Sequence, residues 1–280
     1  MNGRIGDPIG APIAGPIAGP IGVFDSGLGG LTVLRAMIDL LPHESVMYFG
    51  DTARFPYGPK PSDEVLKYAL EIGRLLVEHD ARVVVVACNS AAAAALEVLE
   101  EELPVPVLGV IEPGMRAAAR TTRSGRVGVI GTVGTIASGA YQRAAADLDV
   151  EIDLTCAACP GFVEFVEAGD VDSEQVHILA ERLLAPLRDV SVDTVVLGCT
   201  HYPLLARTIS DVMGPEVMLV SSADETAFAV RELLGTPPEG SAPRLGDHRF
   251  VTSGDVETFG RLGARFLGPE VVHVEQWSWT

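Results

Sequence analysis

Lysine is scarce in this 280-residue sequence, which contains only Lys60 and Lys67. Arginine supplies nearly all of the positive charge, and 20 basic residues stand against 38 acidic ones, for a formal net charge of −18. A surface this acidic repels nucleic-acid phosphates, so nucleic-acid binding is not expected. An acidic substrate needs a local anion site made from backbone N–H groups, helix N-termini or a few cations.

Cysteine is also infrequent, with four residues in the whole sequence. Four cysteines in a chain of this length do not make a disulfide framework, so we expect free thiols and a cytoplasmic protein. No apolar run reaches the 18 residues that suggest a membrane-spanning helix, so no membrane association is expected. The CAAC stretch at 156–159 has redox or zinc spacing, but no second C-x-x-C is present, so we expect no metal site.

Prolines recur every four residues near the N-terminus, in the stretch DPIGAPIAGPIAGP that ends at Pro20. Proline at this spacing prevents a helix and does not suit a secretory signal. We expect residues 1–19 to form a disordered or polyproline-like extension without a catalytic role.

After this extension, short β-branched runs alternate with helical stretches of ten or more residues. The alternation is typical of the α/β class with mostly parallel sheets, in which ligands bind beyond the carboxyl ends of the strands. The predicted strands are 21–25, 45–50, 82–87, 105–110, 126–131, 193–198 and 216–220. The predicted helices are 30–41, 62–79, 91–102, 113–122, 136–147, 173–188, 203–213 and 223–234.

Two pairs of segments repeat along the chain. RVVVVACNSA at 82–91 is similar to DTVVLGCTHY at 193–202, and IGVFDSGLGGLT at 21–32 is similar to VGVIGTVGTIAS at 127–138. The repeat predicts two similar halves that face each other across a cleft. Each half contributes a hydroxyl-rich turn and one cysteine at a strand end, Cys88 and Cys199.

Each of these cysteines is predicted to lie where a helix begins. The helix dipole and free N–H groups at that position lower the pKa of a thiol from about 8.5, so both thiols are expected to ionise readily. For either cysteine alone, a buried structural role is the alternative. Two opposed thiols suit a reaction that removes a proton from one face of a carbon and returns one to the other. The pyridoxal phosphate route needs a lysine, and neither Lys60 nor Lys67 lies at a strand end, so no cofactor is expected.

Polar residues next to the two cysteines are candidates for supporting roles. Asp25 and Ser26 end the first predicted strand, and Thr200 and His201 directly follow Cys199. The alternatives are an N-cap for Asp25 and a surface position for His201. The Gly- and Pro-rich loop at 50–62 either covers the site or forms plain surface turns. GLGG at 27–30 lacks the full G-x-G-x-x-G spacing, so dinucleotide binding is not expected.

Six motifs, in order, carry a family resemblance: FDSGLGGLTV, GDTARFPYG, ACNSA, VIGTVGTI, ACPGFVEFVEAG and LGCTHYPLL. Together they strongly resemble the cofactor-independent glutamate racemases, from about residue 21 to 268. The resemblance implies two α/β domains related by a pseudo-twofold axis, with the active site between them. We assign 20–113 with 224–280 to the first domain and 114–223 to the second. It also implies that the protein interconverts L- and D-glutamate and supplies D-glutamate for peptidoglycan.

The resemblance also implies roles for individual residues. Cys88 and Cys199 would be the acid/base thiols. Asp25 would assist Cys88. His201 and Glu167 would assist Cys199. Substrate contacts would come from Ser26, Pro56, Tyr57, Gly58, Asn89, Ser90, Thr132, Thr135 and Thr200.

Some assignments leave alternatives open. Glu164 competes with Glu167, and Ser90 stands where the family commonly has threonine, which keeps the hydroxyl and loses a methyl group. Aspartate or a hydantoin is the rival substrate, although the Asp-Ser, Pro-Tyr-Gly and Cys-Thr-His combination favours glutamate. A binding role is the rival function, since some relatives are associated with inhibition of DNA gyrase, but nothing in this sequence identifies such a surface. A homodimer is expected.

Overall fold

The structure is a computed structural model that describes residues 19–235, 245–271 and 273–279. All strand pairs in these residues are parallel, and they form two sheets. The predicted α/β class with mostly parallel sheets is therefore confirmed. The predicted Pro-rich extension lies outside the described residues, apart from its last residue, Gly19.

The larger sheet has its most apolar segments at its centre. The four valines at 83–86 are fully buried, as expected for a strand covered on both faces. Among the described residues the strands of this sheet are β1 (Ile21–Asp25), β2 (Val46–Gly50), β3 (Val83–Val86), β4 (Val107–Gly109), β9 (His248–Thr252) and β10 (Val274–Gln276). Their order across the sheet is β10-β9-β2-β1-β3-β4.

The smaller sheet is made from the middle of the chain. Its described strands are β5 (Arg126–Gly131), β6 (Asp153–Ala158), β7 (Thr194–Gly198) and β8 (Met218–Val220), in the order β6-β5-β7-β8. The two central strands β5 and β7 are almost wholly buried. In the sequence, strands of the larger sheet come both before and after this segment, which is the arrangement that the predicted domains require. The exact domain boundaries stay a prediction.

Helices connect the parallel strands. They are α1 (Leu31–Leu40), α2 (Ser62–Glu78), α3 (Asn89–Glu102), α4 (Ile111–Thr121), α5 (Val133–Ala137), α6 (Ala140–Ala146), α7 (Phe162–Ala168), α8 (Glu174–Asp189), α9 (Ala206–Met213), α10 (Ala223–Leu234) and α11 (Val256–Phe266), with a 3₁₀ turn at Tyr202–Leu205. No helix in the described residues is long and apolar enough to cross a membrane.

The prediction of a single helix over 136–147 is wrong in one respect, because the structure has two helices in this region. Gly139 separates α5 from α6 with φ of 70°, a left-handed conformation that ends a right-handed helix. Sequence periodicity also did not predict β6, β9, β10, α7 or α11. β6 is a partly exposed edge strand rich in small residues, and β10 has only three residues, so neither has a β-branched run.

Parallel pairing sets where the functional side chains lie. β1 pairs directly with β3, and β5 pairs directly with β7. Asp25 ends β1 and Cys88 lies two residues beyond β3, while Thr132 and Cys199 directly follow β5 and β7. Each sheet therefore presents a cysteine and a polar partner at its carboxyl edge.

Val85→Ala tests how much the buried valine strand contributes to stability. The change removes two methyl groups from a fully buried side chain, so the free energy of unfolding should fall by about 2 kcal/mol. Val150→Ala is the matched control, because Val150 is 50% exposed, and it should shift the value by less than about 0.5 kcal/mol. Urea denaturation under reducing conditions measures both. Equal effects would contradict a core role for this strand.

Candidate active site

Cys88 and Cys199 come from different sheets and line the same cleft. Cys88 is the N-cap of α3 and is 5% exposed, and Cys199 lies between β7 and the 3₁₀ turn and is 7% exposed. The cleft holds about 620 Å³ of empty space, including its open mouth. This volume is ordinary for a site that takes a small molecule.

Most of the residues predicted from the sequence line this cleft. They are Ser26, Pro56, Tyr57, Gly58, Cys88, Asn89, Ser90, Thr132, Cys199, Thr200 and His201. Asp25, Thr135 and Glu167 lie behind this lining and hydrogen-bond to residues within it. The sequence did not predict Phe55, Pro59, Val133, Cys159, Pro160, Gly161, Val163 and Tyr202 as lining residues; Glu164, the competitor of Glu167, also lines the cleft.

Asp25 is fully buried and bridges the two sheets. Its Oδ1 accepts a hydrogen bond from the Gly27 N–H at 2.8 Å, and its Oδ2 accepts one from the Thr200 hydroxyl at 3.2 Å. Burial raises the pKa of Asp25, and the positive charge of His201 and these hydrogen bonds oppose the rise. The alternative that Asp25 caps the turn beginning at Gly27 is borne out in part by the Gly27 N–H bond, although the N-cap residue of α1 itself is Gly30.

The Cys88 thiol donates a long hydrogen bond to the Ser26 hydroxyl, with 3.6 Å between Sγ and Oγ. Burial raises the pKa of Cys88 to about 12, and the negative charge of Asp25 adds to the rise. A backbone N–H at the start of α3, that of Ala91, acts in the other direction but is outweighed. The expectation that the helix N-terminus lowers the Cys88 pKa is therefore wrong, because loss of hydration dominates.

His201 lies between Cys199 and Glu167. Its Nδ1 is 4.0 Å from the Cys199 Sγ, and its Nε2 is 2.7 Å from a Glu167 carboxylate oxygen. Burial lowers the pKa of His201, but interactions with Cys199, Glu167 and Asp25 outweigh it and raise the pKa to about 10. The ring is 2% exposed, so the surface alternative is wrong, and it is an imidazolium at neutral pH.

Three hydroxyl groups form a cluster that joins the two sheets. Ser90 Oγ lies 2.9 Å from Thr132 Oγ1 and 3.2 Å from Thr135 Oγ1, and the two threonine oxygens are 2.9 Å apart. Thr132 also accepts the Thr135 N–H and so caps α5. Because each hydroxyl can rotate, the cluster can turn O–H groups toward an anion in the cleft.

Tyr141 is a functional neighbour that sequence reasoning missed. Its hydroxyl donates to Asn89 Oδ1 at 2.8 Å, and both residues are buried. This bond uses the Asn89 carbonyl and leaves the amide NH₂ to donate into the cleft. Tyr141 follows no strand and lies 52 residues from Asn89 along the chain, so no sequence pattern points to it.

The Gly- and Pro-rich loop lines the cleft, as expected if it covers the site and not if it forms plain surface turns. Gly58 accepts a hydrogen bond from the Gly134 N–H at 3.0 Å, which ties the loop to the smaller sheet's side of the cleft. A Cβ on Gly58 would lie 2.7 Å from the Thr132 side chain, so this close approach requires glycine.

The CAAC stretch lies at the end of β6. Burial raises the pKa of Cys156 to about 11 and that of Cys159 to about 12. The Cys159 carbonyl accepts a hydrogen bond from the Tyr202 hydroxyl at 3.1 Å, which gives this residue a structural contact. Within the described ranges, no group of three or more His, Cys, Asp or Glu side chains is placed to hold a metal ion.

Comparison with known proteins shows what the chain is similar to. The Asp/Glu/Hydantoin racemase family model matches residues 21–230. A glutamate racemase of Geobacter metallireducens is 51% identical over 259 residues, which cover 92% of this chain and 96% of the relative. The crystal structure of a glutamate racemase isoform of Bacillus anthracis superposes with a TM-score of 0.87 at 41% identity, covering 95% of this chain and 98% of that one. The crystal structure of a Francisella tularensis glutamate racemase in complex with D-glutamate superposes with a TM-score of 0.83 at 31% identity, covering 93% of this chain and 97% of that one.

Glu167→Gln tests the His201 contact. The amide carries no negative charge, so the His201 pKa should fall below its present value of about 10, as followed by ¹⁵N NMR of the ring nitrogens. Because the His201 pKa is higher in the folded state than in the unfolded state, binding of this proton stabilises the fold. The contribution is complete below pH about 6.5 and is lost as pH rises through about 10. The variant should therefore be less stable by about 2 kcal/mol at pH 7, and the difference should shrink above pH 10.

Glu164→Gln is the matched control for this measurement. Glu164 lies on the same helix, α7, and lines the cleft, whereas it is Glu167 that bonds to His201. The His201 pKa should keep its wild-type value in this variant. If the His201 pKa fell further in Glu164→Gln than in Glu167→Gln, Glu164 rather than Glu167 would be the carboxylate that acts on His201.

Proposed function

The chain belongs to the Asp/Glu/Hydantoin racemase family and is a racemase, and from this premise we propose that it interconverts L- and D-glutamate by a two-thiol proton transfer at Cα. The observation that carries this proposal is the pair of thiols from different sheets that line one cleft. The similarity to glutamate racemases over nearly the whole chain supports glutamate as the substrate. The Asp-Ser, Pro-Tyr-Gly and Cys-Thr-His motifs in the cleft favour glutamate over aspartate or a hydantoin.

The proposed chemistry needs one base and one acid on different faces of Cα. In one direction the Cys88 thiolate takes the α-proton while the Cys199 thiol gives its own proton to the other face. In the other direction the two cysteines exchange roles. Each turnover moves one proton from one sulfur to the other, so neighbouring groups or solvent redistribute it before the next turnover.

The groups beside each thiol fit different parts of this cycle. Cys88 rests as a neutral thiol, because its pKa is raised, and Asp25 is a buried carboxylate whose own raised pKa suits it to accept and hold a proton. Cys199 lies beside the His201 imidazolium, which can supply a proton or balance negative charge on the sulfur. Glu167 holds that imidazolium in place.

An acidic protein can bind an amino acid with two carboxylates here because the cleft offers local donors. We assign the substrate carboxylates to the Asn89 amide, the Ser90–Thr132–Thr135 hydroxyl cluster, and the hydroxyls of Ser26 and Thr200. The N–H groups at the start of α3 point to the same edge. These donors act at contact distance, whereas the net charge is screened beyond roughly 8 Å.

The reaction proposed here proceeds without pyridoxal phosphate. That cofactor binds a lysine as a Schiff base, and the only two lysines of the sequence lie elsewhere. Lys60 pairs with Glu64 at 3.2 Å, and Lys67 lies on the exposed side of α2; neither lines the cleft. We further propose that the protein acts in the cytoplasm and supplies D-glutamate for peptidoglycan.

Proton NMR of L-glutamate in D₂O tests the substrate and the absence of a cofactor together. With purified, reduced protein and no added pyridoxal phosphate, the Cα proton signal should disappear while optical rotation falls. L-Aspartate under the same conditions should exchange at least about a hundredfold more slowly, since a mismatched chain length misplaces one carboxylate. Exchange of aspartate but not glutamate would overturn the substrate assignment.

Cys88→Ser and Cys199→Ser test the two-thiol mechanism. Each variant should lose racemase activity by about a thousandfold or more, because a serine hydroxyl is a far weaker acid than a thiol and does not ionise to give a base near neutral pH. Cys156→Ser is the matched control, since Cys156 lies on β6 and does not line the cleft, and it should keep its activity.

A glutamate analogue with a leaving group on Cβ shows that the inactive variants remain folded. Its elimination needs only proton removal, so the variant that retains the abstracting thiol should still catalyse it. Full racemase activity in either single variant would contradict the mechanism.

A further inference from the structure

The last described residues of the chain form a C-terminal strap, residues 273–279, at the edge of the larger sheet. β10 pairs with β9, and the Trp277 N–H continues this pairing to the Thr252 carbonyl at 2.7 Å. The strap lies beyond residue 230, where the family model ends, and beyond the motifs recognised in the sequence. Its final described side chain, Trp279, reaches back to the residue that follows β2.

That residue is Asp51, a fully buried carboxylate with four hydrogen-bond donors. Its Oδ1 accepts bonds from the Ser253 hydroxyl at 2.7 Å and from the Trp279 indole N–H at 3.0 Å. Its Oδ2 accepts bonds from Arg54 Nε at 2.6 Å and from the Tyr57 hydroxyl. A buried charge held by donors from both ends of the sequence is fixed in orientation.

The Trp279 ring also covers the ion pair that Asp51 forms. The Arg54 guanidinium lies 3.8 Å from the centre of the Trp279 ring and 4.0 Å from that of Tyr68, so it is stacked on both rings. The Trp279 ring packs against Phe49 of β2 at 5.5 Å between centroids. Trp279 therefore contributes both a hydrogen bond and an apolar cover to the Asp51–Arg54 pair.

Asp51 connects these contacts to the cleft. The substrate loop, residues 51–60, contains the Tyr57 and Gly58 that line the cleft. Asp51 accepts a hydrogen bond from the Tyr57 hydroxyl, and the neighbouring Gly58 carbonyl accepts one from the Gly134 N–H, so two adjacent residues of this segment are held from different sides. Asp51 therefore contacts the cleft wall directly, through the hydroxyl of Tyr57.

We propose that Trp279 is a positioning residue for the substrate loop and acts through Asp51 in the reaction proposed above, on which this inference rests. The indole N–H and ring hold the carboxylate in the orientation that receives the Tyr57 hydroxyl. The thiols lie at strand ends that Trp279 does not touch. Loosening the loop therefore weakens substrate binding while the geometry of proton transfer is kept.

Trp279→Phe tests this inference, because phenylalanine keeps an aromatic ring and removes only the indole N–H and part of the ring area. The KM for glutamate should rise about tenfold, as expected for the loss of a hydrogen bond to a charged group, while kcat changes less than about twofold. Trp277→Phe is the matched control. The Trp277 Nε1 is buried and has no hydrogen-bond partner in the described part of the chain, so KM and kcat should both stay within about twofold of wild type.

Hydrogen exchange of the 51–60 amides provides a readout that does not depend on activity. Mass spectrometry without substrate should show faster exchange of this peptide in Trp279→Phe, and wild-type exchange in Trp277→Phe. Equal exchange and equal KM in the two variants would overturn the role of Trp279. Failure of the wild-type protein to racemise glutamate would instead overturn the proposed function, and the exchange data would still decide whether Trp279 fixes the loop.

Discussion

Parallel strand pairing is the constraint on which the candidate site depends. β1 lies beside β3 and β5 lies beside β7, and parallel neighbours end at the same edge of a sheet. Each of these four strands is followed by a short segment that carries polar or thiol side chains. The same pairing that buries the valines of β3 thus delivers two thiols, two hydroxyl-rich turns and a carboxylate to one cleft.

Burial of that cleft gives the two cysteines different surroundings. Loss of hydration raises the pKa of Cys88, and the fully buried Asp25 beside it shares this rise. On the other side, Glu167 and Cys199 outweigh burial and keep His201 protonated. The two thiols therefore have unlike partners, a buried carboxyl group with a raised pKa beside Cys88 and an imidazolium bonded to Glu167 beside Cys199. The Thr200–Asp25 hydrogen bond joins these two halves directly.

Contacts outside the motifs support the residues within them. Tyr141 orients Asn89, and Ser253 and Trp279 donate to the Asp51 carboxylate that holds Tyr57. In each case a buried polar group is satisfied by a donor from a distant part of the chain, since an unpaired group there would cost stability. The result is a cleft wall in which the Asn89 amide and the Tyr57 side chain have fixed directions before a substrate arrives.

The sequence by itself determined the α/β class, the central strands and the repeat of strand and cysteine, because these depend on local periodicity and on residues adjacent in the chain. The family resemblance of its motifs added most of the polar side chains that line the cleft. Tertiary structure decided the rest. It divided the helix at Gly139, raised rather than lowered the pKa of Cys88, and placed Glu167 rather than Glu164 on His201. It also brought Trp279 to Asp51 across 228 positions. Burial and long-range contact are properties of the folded chain, and no window of sequence records which distant donor will reach a given carboxylate or how much water it will lose.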